Sequence, residues 1–562
     1  MKNNKLLITL VSIISLGAVG CGEVTPTNTF DPNNNDLGYQ WSDTSKPIVA
    51  NKDTVSFKVY SPKNALADNY KDMKVFQDLY DQTNVNINWE NVTGTTYDQQ
   101  KTLILANSSK WPDAIYHAGF TNKELIQYGT SRNVITAIDK YLDYMPNFKS
   151  ILEKRPDIRS AISSPDGHIY SLPRVEEMGL KQYPNLLFIN KQWISKLIDE
   201  NKLSFTLNKA DLKDGLRLKR SQYKEILTKF KENDMNGNNK NDEIPLSFVH
   251  NNWQGNESDL IASFGIPENR DHKTIVNGKV TFTIQDTKWK NAVSELHDWV
   301  SNGLIDLAAF EDTQDAFLAK GKRDSSGNVR LGSFYWWEME TVISKEDQEN
   351  YICLQPLVDD ATNKQYVGMS NELEIEKGTC VIFEKCQKKE ILLTYFDRFY
   401  DPYTSAQINY GPIGVVFEEE LDSNGKLVTK ELPEGVTTDE LRLKNAPMGC
   451  IYLSNEEWEN NVNMEPRAAL RLERLEKYAK PYTIENIATI PNLNYTLEEI
   501  NTLARYETSL GTLINTTFMG WLLDGFTDND WNDFQSKLTK GGIEEVKKIN
   551  QDGYDRYLAS QK

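Results

Sequence analysis

The sequence predicts an α/β protein of two lobes joined by several crossings of the chain. Three observations carry this. Stretches alternating with period two are interleaved with stretches of helical spacing, the pattern of a mostly parallel sheet covered by helices. The 562 residues suffice for about three or four domains at roughly 150 residues each. Yet no Pro/Gly/Ser linker after residue 50 separates them.

The elements follow in order. Residues 54–60 (TVSFKVY) alternate and read as a strand. Residues 69–83 carry Met73, Phe76, Leu79 and Tyr80 at helical spacing. A second strand is expected at 85–89, a helix at 97–106 and a short strand at 113–116. The span 194–232, rich in Lys, Leu and Asp, reads as helical, as do 287–302, 388–400 and 455–480. From Leu503 onward the pattern is helical, broken at Gly525 and at Gly541-Gly542. No internal repeat is visible.

Composition excludes some functions. There are 81 acidic and 63 basic residues, a net charge of −18 and a sequence pI near 5.0. A nucleic-acid surface needs clustered Lys and Arg, so no nucleic-acid partner is expected. The five histidines are scattered and no HExxH occurs, which argues against a His-ligated metal. Neither GxxxxGK[ST] nor GxSxG is present. The 81 acids leave a glycosidase pair open in principle, but no pair stands out.

The N-terminus reads as an export signal over residues 1–20. Lys2 and Lys5 precede an apolar run from Leu6 to Val19, too short to span a bilayer. Cys21, directly after Ala18-Val19-Gly20, has the position of a bacterial lipidation site, which would tether the protein to the outer face of the cell membrane. Residues 21–49 are polar and read as a flexible tether. Cys353, Cys380, Cys386 and Cys450 are too few for a disulfide scaffold, although Cys380 and Cys386 are close enough in sequence to pair.

One motif is sharp. Asp234, Asn236, Asn238, Asp242 and Glu243, with the Lys240 carbonyl, place oxygen donors along one short loop, as a structural Ca²⁺ requires. The first positions resemble an EF-hand. The later ones depart from it, with Asn239 in place of its glycine and Pro245 in place of its last Glu. Several aromatics sit among polar residues, where core packing explains them poorly: Trp253, Trp336-Trp337 and Tyr410. Aromatic faces beside Asn, Gln and Glu suit sugars.

Further motifs run through the chain in order. They are Trp111-Pro-Asp-Ala-Ile115, Asp166-Gly-His-Ile-Tyr-Ser-Leu-Pro173, Leu187-Phe-Ile-Asn-Lys-Gln-Trp193, Asp242-Glu-Ile-Pro245, Tyr410-Gly-Pro-Ile-Gly414 and Asp555-Arg-Tyr557. Their sequence resembles the bacterial extracellular solute-binding lipoproteins of carbohydrate ABC importers. The similarity is to the large branch that includes alginate-binding and other oligosaccharide-binding proteins. The resemblance implies a periplasmic-binding-protein-like fold with a ligand cleft between lobes, lobe one at 50–173 and 368–405, lobe two at 174–367 and 406–562. It implies a monomer that binds an oligosaccharide, has no enzymatic activity and delivers its ligand to ABC permease subunits. A surface glycan-active enzyme and a glycan adhesin or sensor are the alternatives. Tyr116, Arg174, Trp253, Trp336, Trp337 and Tyr410 are the expected cleft residues, with only one of the tryptophan pair facing the ligand if the backbone there is extended.

Overall fold

The structure is a computed structural model and describes residues 39–561 except 41, 42, 44, 179, 180, 432–435 and 437. The export signal 1–20, Cys21 and the greater part of the tether lie outside the described residues.

Among the described residues twelve strands form in chain order: β1 (Ser56–Lys63), β2 (Asn86–Thr93), β3 (Ala114–Tyr116), β4 (Leu172–Glu176), β5 (Leu186–Asn190), β6 (Lys273–Val276), β7 (Lys279–Phe282), β8 (Ser333–Trp336), β9 (Tyr351–Cys353), β10 (Ile375–Ile382), β11 (Ile451–Leu453) and β12 (Ile487–Ala488). β1 forms because Phe57 and Val59 alternate inward. The helix Lys74–Thr83 buries Val75, Phe76 and Leu79 over it and stops at Asn84, which takes a left-handed φ of 57°. The chain then returns as β2, parallel to β1 from Ser56↔Asn86 to Lys63↔Thr93.

Six strands make the first sheet, in the order β11-β4-β10-β3-β1-β2. It is parallel at β1·β2, β1·β3 and β4·β11, as expected. β10 breaks the rule, running antiparallel between β3 and β4. It is the strand by which the chain returns from the other half of the molecule. The two smaller sheets, β8-β5-β9 and β12-β6-β7, are antiparallel throughout. Mostly parallel pairing therefore describes one sheet of three.

The helices at 74–83, 94–106, 287–301 and 389–397 fall close to expectation. The span 194–232 is two helices, Lys191–Asp199 and Arg220–Glu232, with largely irregular chain between them. The predicted 455–480 helix is also two, Asn455–Asn461 and Pro466–Tyr478. The terminal helices Leu497–Asp524, Asp528–Lys540 and Ile543–Ser560 break at the expected glycines.

Two corrections concern the lobes. Residues 406–462 do not join the second lobe: Ala406, Ile408, Phe417, Leu427, Ile451 and Trp458 pack in one core with Val59 and Phe76. The reason is β11, which pairs in register with β4 (Ile451↔Arg174) and holds the preceding segment on the first sheet. The chain crosses instead at 463–465, where the 455–480 helix is interrupted. Nor is the tether free to residue 49. Tyr39, Ile48 and Val49 are buried in the same core, the Ile48 and Val49 amides donate to the Thr83 carbonyl, and the Tyr39 hydroxyl meets Thr394. Cys353, Cys380, Cys386 and Cys450 are buried free thiols, so Cys380 and Cys386 are not bonded.

Candidate ligand cleft and calcium loop

Two of the expected cleft residues, Arg174 and Tyr410, share the partner Glu176. β4 carries Arg174 immediately after Pro173. Its guanidinium donates to Glu176 and, at 2.8 Å, to Asn409 Oδ1. Glu176 also accepts from Asn409 Nδ2 at 2.6 Å and from the Tyr410 hydroxyl at 2.8 Å. Arg442 lies 4.5 Å over the Tyr410 ring and bonds the Asn409 carbonyl at 2.8 Å. Burial opposes charge on Glu176, but Arg174 and Arg442 outweigh it and hold the carboxyl well below its ordinary range.

Trp337 lies in the other half, partly buried against its core. The two neighbouring tryptophans differ in burial, Trp336 buried and Trp337 half-buried. β8 ends at Trp336, whose side chain is 1% exposed. That ring packs 4.9 Å from Phe317 and lies against Gly255, where an added Cβ would come within 2.1 Å of it. Gly255 also has φ +63°, so both space and backbone require glycine. Trp337 points the other way. Arg467 and Arg471, one turn apart on the helix Pro466–Tyr478, stand 5.9 and 5.2 Å over its ring. Glu338, wholly buried, pairs with Arg467 at 3.1 Å.

Tyr116 is not a cleft residue. It is fully buried among Trp89, Phe396 and Phe399, its hydroxyl donates to the Met448 carbonyl, and its ring fills the space a side chain on Gly449 would need. The strand end was correctly located, but the pleat turns Tyr116 inward. His117, next along and at φ +53°, sits beside Arg174 and Glu376 instead. Burial pushes its imidazole down to about 4, so it is neutral at physiological pH. Trp253 is half-buried on the loop after His250.

Sequence reading missed Glu176, Asn409, Arg442, Arg467 and Arg471. A signal for the last two exists: Arg467, Arg471 and Arg474 fall at i, i+4 and i+7, one stripe of a helix that also buries Leu475.

The loop after the helix Arg220–Glu232 is folded around its acids. Asp234 accepts from the amides of Gly237, Asn238 and Asn239 at 2.7, 3.1 and 2.8 Å. Glu243 Oε1 accepts from Met235 N at 2.7 Å, while its buried Oε2 has no partner. Asn236 and Asn238 aim amide nitrogens at Asp242. A half-turn of either amide presents oxygen instead. Among the described residues no three His, Cys, Asp or Glu side chains converge as a metal cluster. This loop, however, offers amide and carbonyl oxygens besides its acids. An orphaned buried carboxylate oxygen in an oxygen-only donor set fits a hard cation.

No family model matches the chain. A curated relative does: the fructooligosaccharide ABC transporter substrate-binding protein FusA of Streptococcus pneumoniae serotype 4 (strain ATCC BAA-334 / TIGR4). It is 29% identical over 502 residues, covering 87% of each chain. The solved structure of S. pneumoniae FusA with kestose superposes at a TM-score of 0.77, with 28% identity over 90% of this chain and 99% of that one. Over most of its length the chain is thus similar to a substrate-binding protein of a carbohydrate ABC transporter. An HMO-binding, ABC-transporter-associated solute-binding protein from Bifidobacterium longum infantis ATCC 15697 (TM-score 0.74, 21% identity, 91% and 99% covered) and the alginate-binding protein AlgQ2 (0.65, 19%, 91% and 99%) share the fold. The two-lobe α/β architecture is thus common to proteins that bind rather than transform their ligands. No helix among the described residues is long and apolar enough to cross a membrane.

Proposed function

We propose that this protein captures a fructooligosaccharide at the junction between its lobes and passes it to the permease subunits of an ABC importer. The supporting observation is the facing pair of surfaces at that junction. One carries Arg174, Glu176, Asn409 and Tyr410; the other carries Trp337, Arg467 and Arg471. An aromatic face ringed by charge-assisted donors suits a sugar, whose C–H face stacks while its hydroxyls take hydrogen bonds. The ligand class follows from FusA, solved with kestose and, as an EF-hand mutant, with fructo-nystose. Lobe one is drawn at about 39–176 and 375–462, lobe two at about 183–367 and 466–561. Closure is a hinge motion about the three crossings, favoured by ligand contacts made in both lobes at once.

The loop at 234–243 is read as a structural Ca²⁺ site, held by Asp234, Asn236, Asn238, the Lys240 carbonyl, Asp242 and Glu243. Bound calcium supplies a fixed positive centre for these oxygens. The chain's own contribution is to fold Asp234 over three amides and to bury Glu243, which fixes the entry to Pro245. Cys21 is the lipid attachment point that keeps the protein on the outer face of the cell membrane.

Isothermal titration of the mature protein with kestose and with nystose tests the reading. Saturable binding at a one-to-one ratio is expected. Absence of binding to both, with maltotriose or another glucan bound instead, would refute the ligand class.

A further inference from the structure

We infer that Arg471 grips the ligand through the side edge of its guanidinium, closing its Nε and Nη2 on two neighbouring oxygens of one sugar residue. This rests on the oligosaccharide-binding reading above and names the group that anchors it.

The argument begins with an unmet demand. Arg471 is 3% exposed, and neither Nε nor Nη2 has a hydrogen-bond partner. Those two atoms form the edge by which an arginine makes its paired, parallel bonds. Elsewhere in this molecule the same edge is closed. Arg155 sets Nε and Nη2 on the two oxygens of Asp157 at 2.8 and 2.6 Å, and Arg323 does so on Asp347 at 2.8 and 2.6 Å. Arg471 alone among these three buries the edge without an acceptor.

Among the described residues, the carboxylates that act most strongly on Arg471 are engaged elsewhere. These are Glu338 and Glu176. Glu338 is paired with Arg467, and Glu176 is held by Arg174, Asn409 and Tyr410. An arginine cannot relieve its burial by losing a proton, so a buried guanidinium without acceptors is costly. A ligand that brings two adjacent oxygens removes that cost. Position fits as well. The guanidinium lies over Trp337 from its own lobe and feels Tyr410 and Glu176 from the other. A sugar reaching Arg471 therefore stands where both lobes touch it.

The required chemistry is a pair of neighbouring oxygen acceptors. Two sources supply it: a vicinal diol of a neutral sugar, or the carboxylate of a uronate. Titration calorimetry on the mature protein separates them. Kestose and trigalacturonate are titrated into wild type, Arg471→Met and Arg471→Lys, each checked for folding by its melting curve. Arg471→Lys keeps the charge and the stem but has no fork. At least a tenfold loss of affinity in both variants is expected, for kestose if the diol is gripped and for trigalacturonate if the carboxylate is. Arg471→Lys retaining wild-type affinity for the glycan that wild type binds overturns this inference alone. Failure of wild type to bind any oligosaccharide overturns the reading beneath it, and this inference with it.

Discussion

Trp336→Ala and Trp337→Ala separate a packing tryptophan from a binding one. Trp336 is 1% exposed, packs on Phe317 and Gly255, and donates its indole N–H to Thr341 Oγ1 at 3.0 Å. Removing a buried indole of roughly 200 Å² forfeits about 5 kcal/mol at ~25 cal/mol per Å². Measured Trp→Ala losses in cores run to about 3–5 kcal/mol. Trp336→Ala is therefore expected to destabilise by about 4 kcal/mol while the folded fraction binds kestose nearly as wild type. Trp337 is half-buried beneath two guanidiniums at the junction, so its truncation removes little core. Its expected cost is roughly 1–3 kcal/mol in affinity, using base stacking on aromatics as the guide, or tenfold and more in Kd. Urea unfolding gives the first quantity and calorimetry the second. The reasoning is refuted if Trp336→Ala loses affinity with its stability intact, or if Trp337→Ala binds kestose as wild type does.

Three further outcomes are expected. EDTA should lower the melting temperature and added Ca²⁺ restore it, with kestose affinity of the folded protein little changed; in Glu243→Gln both responses should shrink, and a full response in that variant would remove Glu243 from the site. Gly449→Ala should destabilise by more than about 3 kcal/mol, since φ is +104° and the new methyl would meet the Tyr116 ring at 2.3 Å; near-wild-type unfolding would contradict the packing described. His250 lies 2.6 Å from buried Glu257, and although burial pushes it down, that carboxylate dominates and raises it to about 9. Because the folded value lies above the unfolded one, this stabilisation is full below about pH 6.5 and lost as pH climbs through about 9, up to about 3 kcal/mol in all. His250→Gln should flatten that part of the stability-against-pH curve, and an unchanged curve would count against the pair.

Much of the fold was legible because local pattern and tertiary environment agree. Residues 56–116 alternate between periods of two and 3.6, and the chain forms strand and helix in that order. The lobe boundary at 406 was not legible. Nothing local to residues 406–450 records that β11 will pair with β4, some 275 residues earlier, and that long-range register decides which core they join. The break at 463–465 carries a local sign in Pro466, the first residue of its helix. Among the expected cleft residues, the strand ends were readable but the direction of the side chains was not. Tyr116 and Trp336 both end strands and are buried, and in each case the residue one step further along is the more exposed one. A period of two turns an error of one position into an error of face. The arginines were missed because charge on a helix usually faces water. Only burial reveals that Arg471 and Arg474 do not.

The most direct test of the central claim is a crystal structure of the mature protein with nystose. The account predicts the sugar between the lobes, one ring against Trp337, with Arg471 and the Arg174–Glu176–Asn409 network within hydrogen-bond reach. Nystose bound elsewhere, with Trp337 and Arg471 untouched, would contradict it.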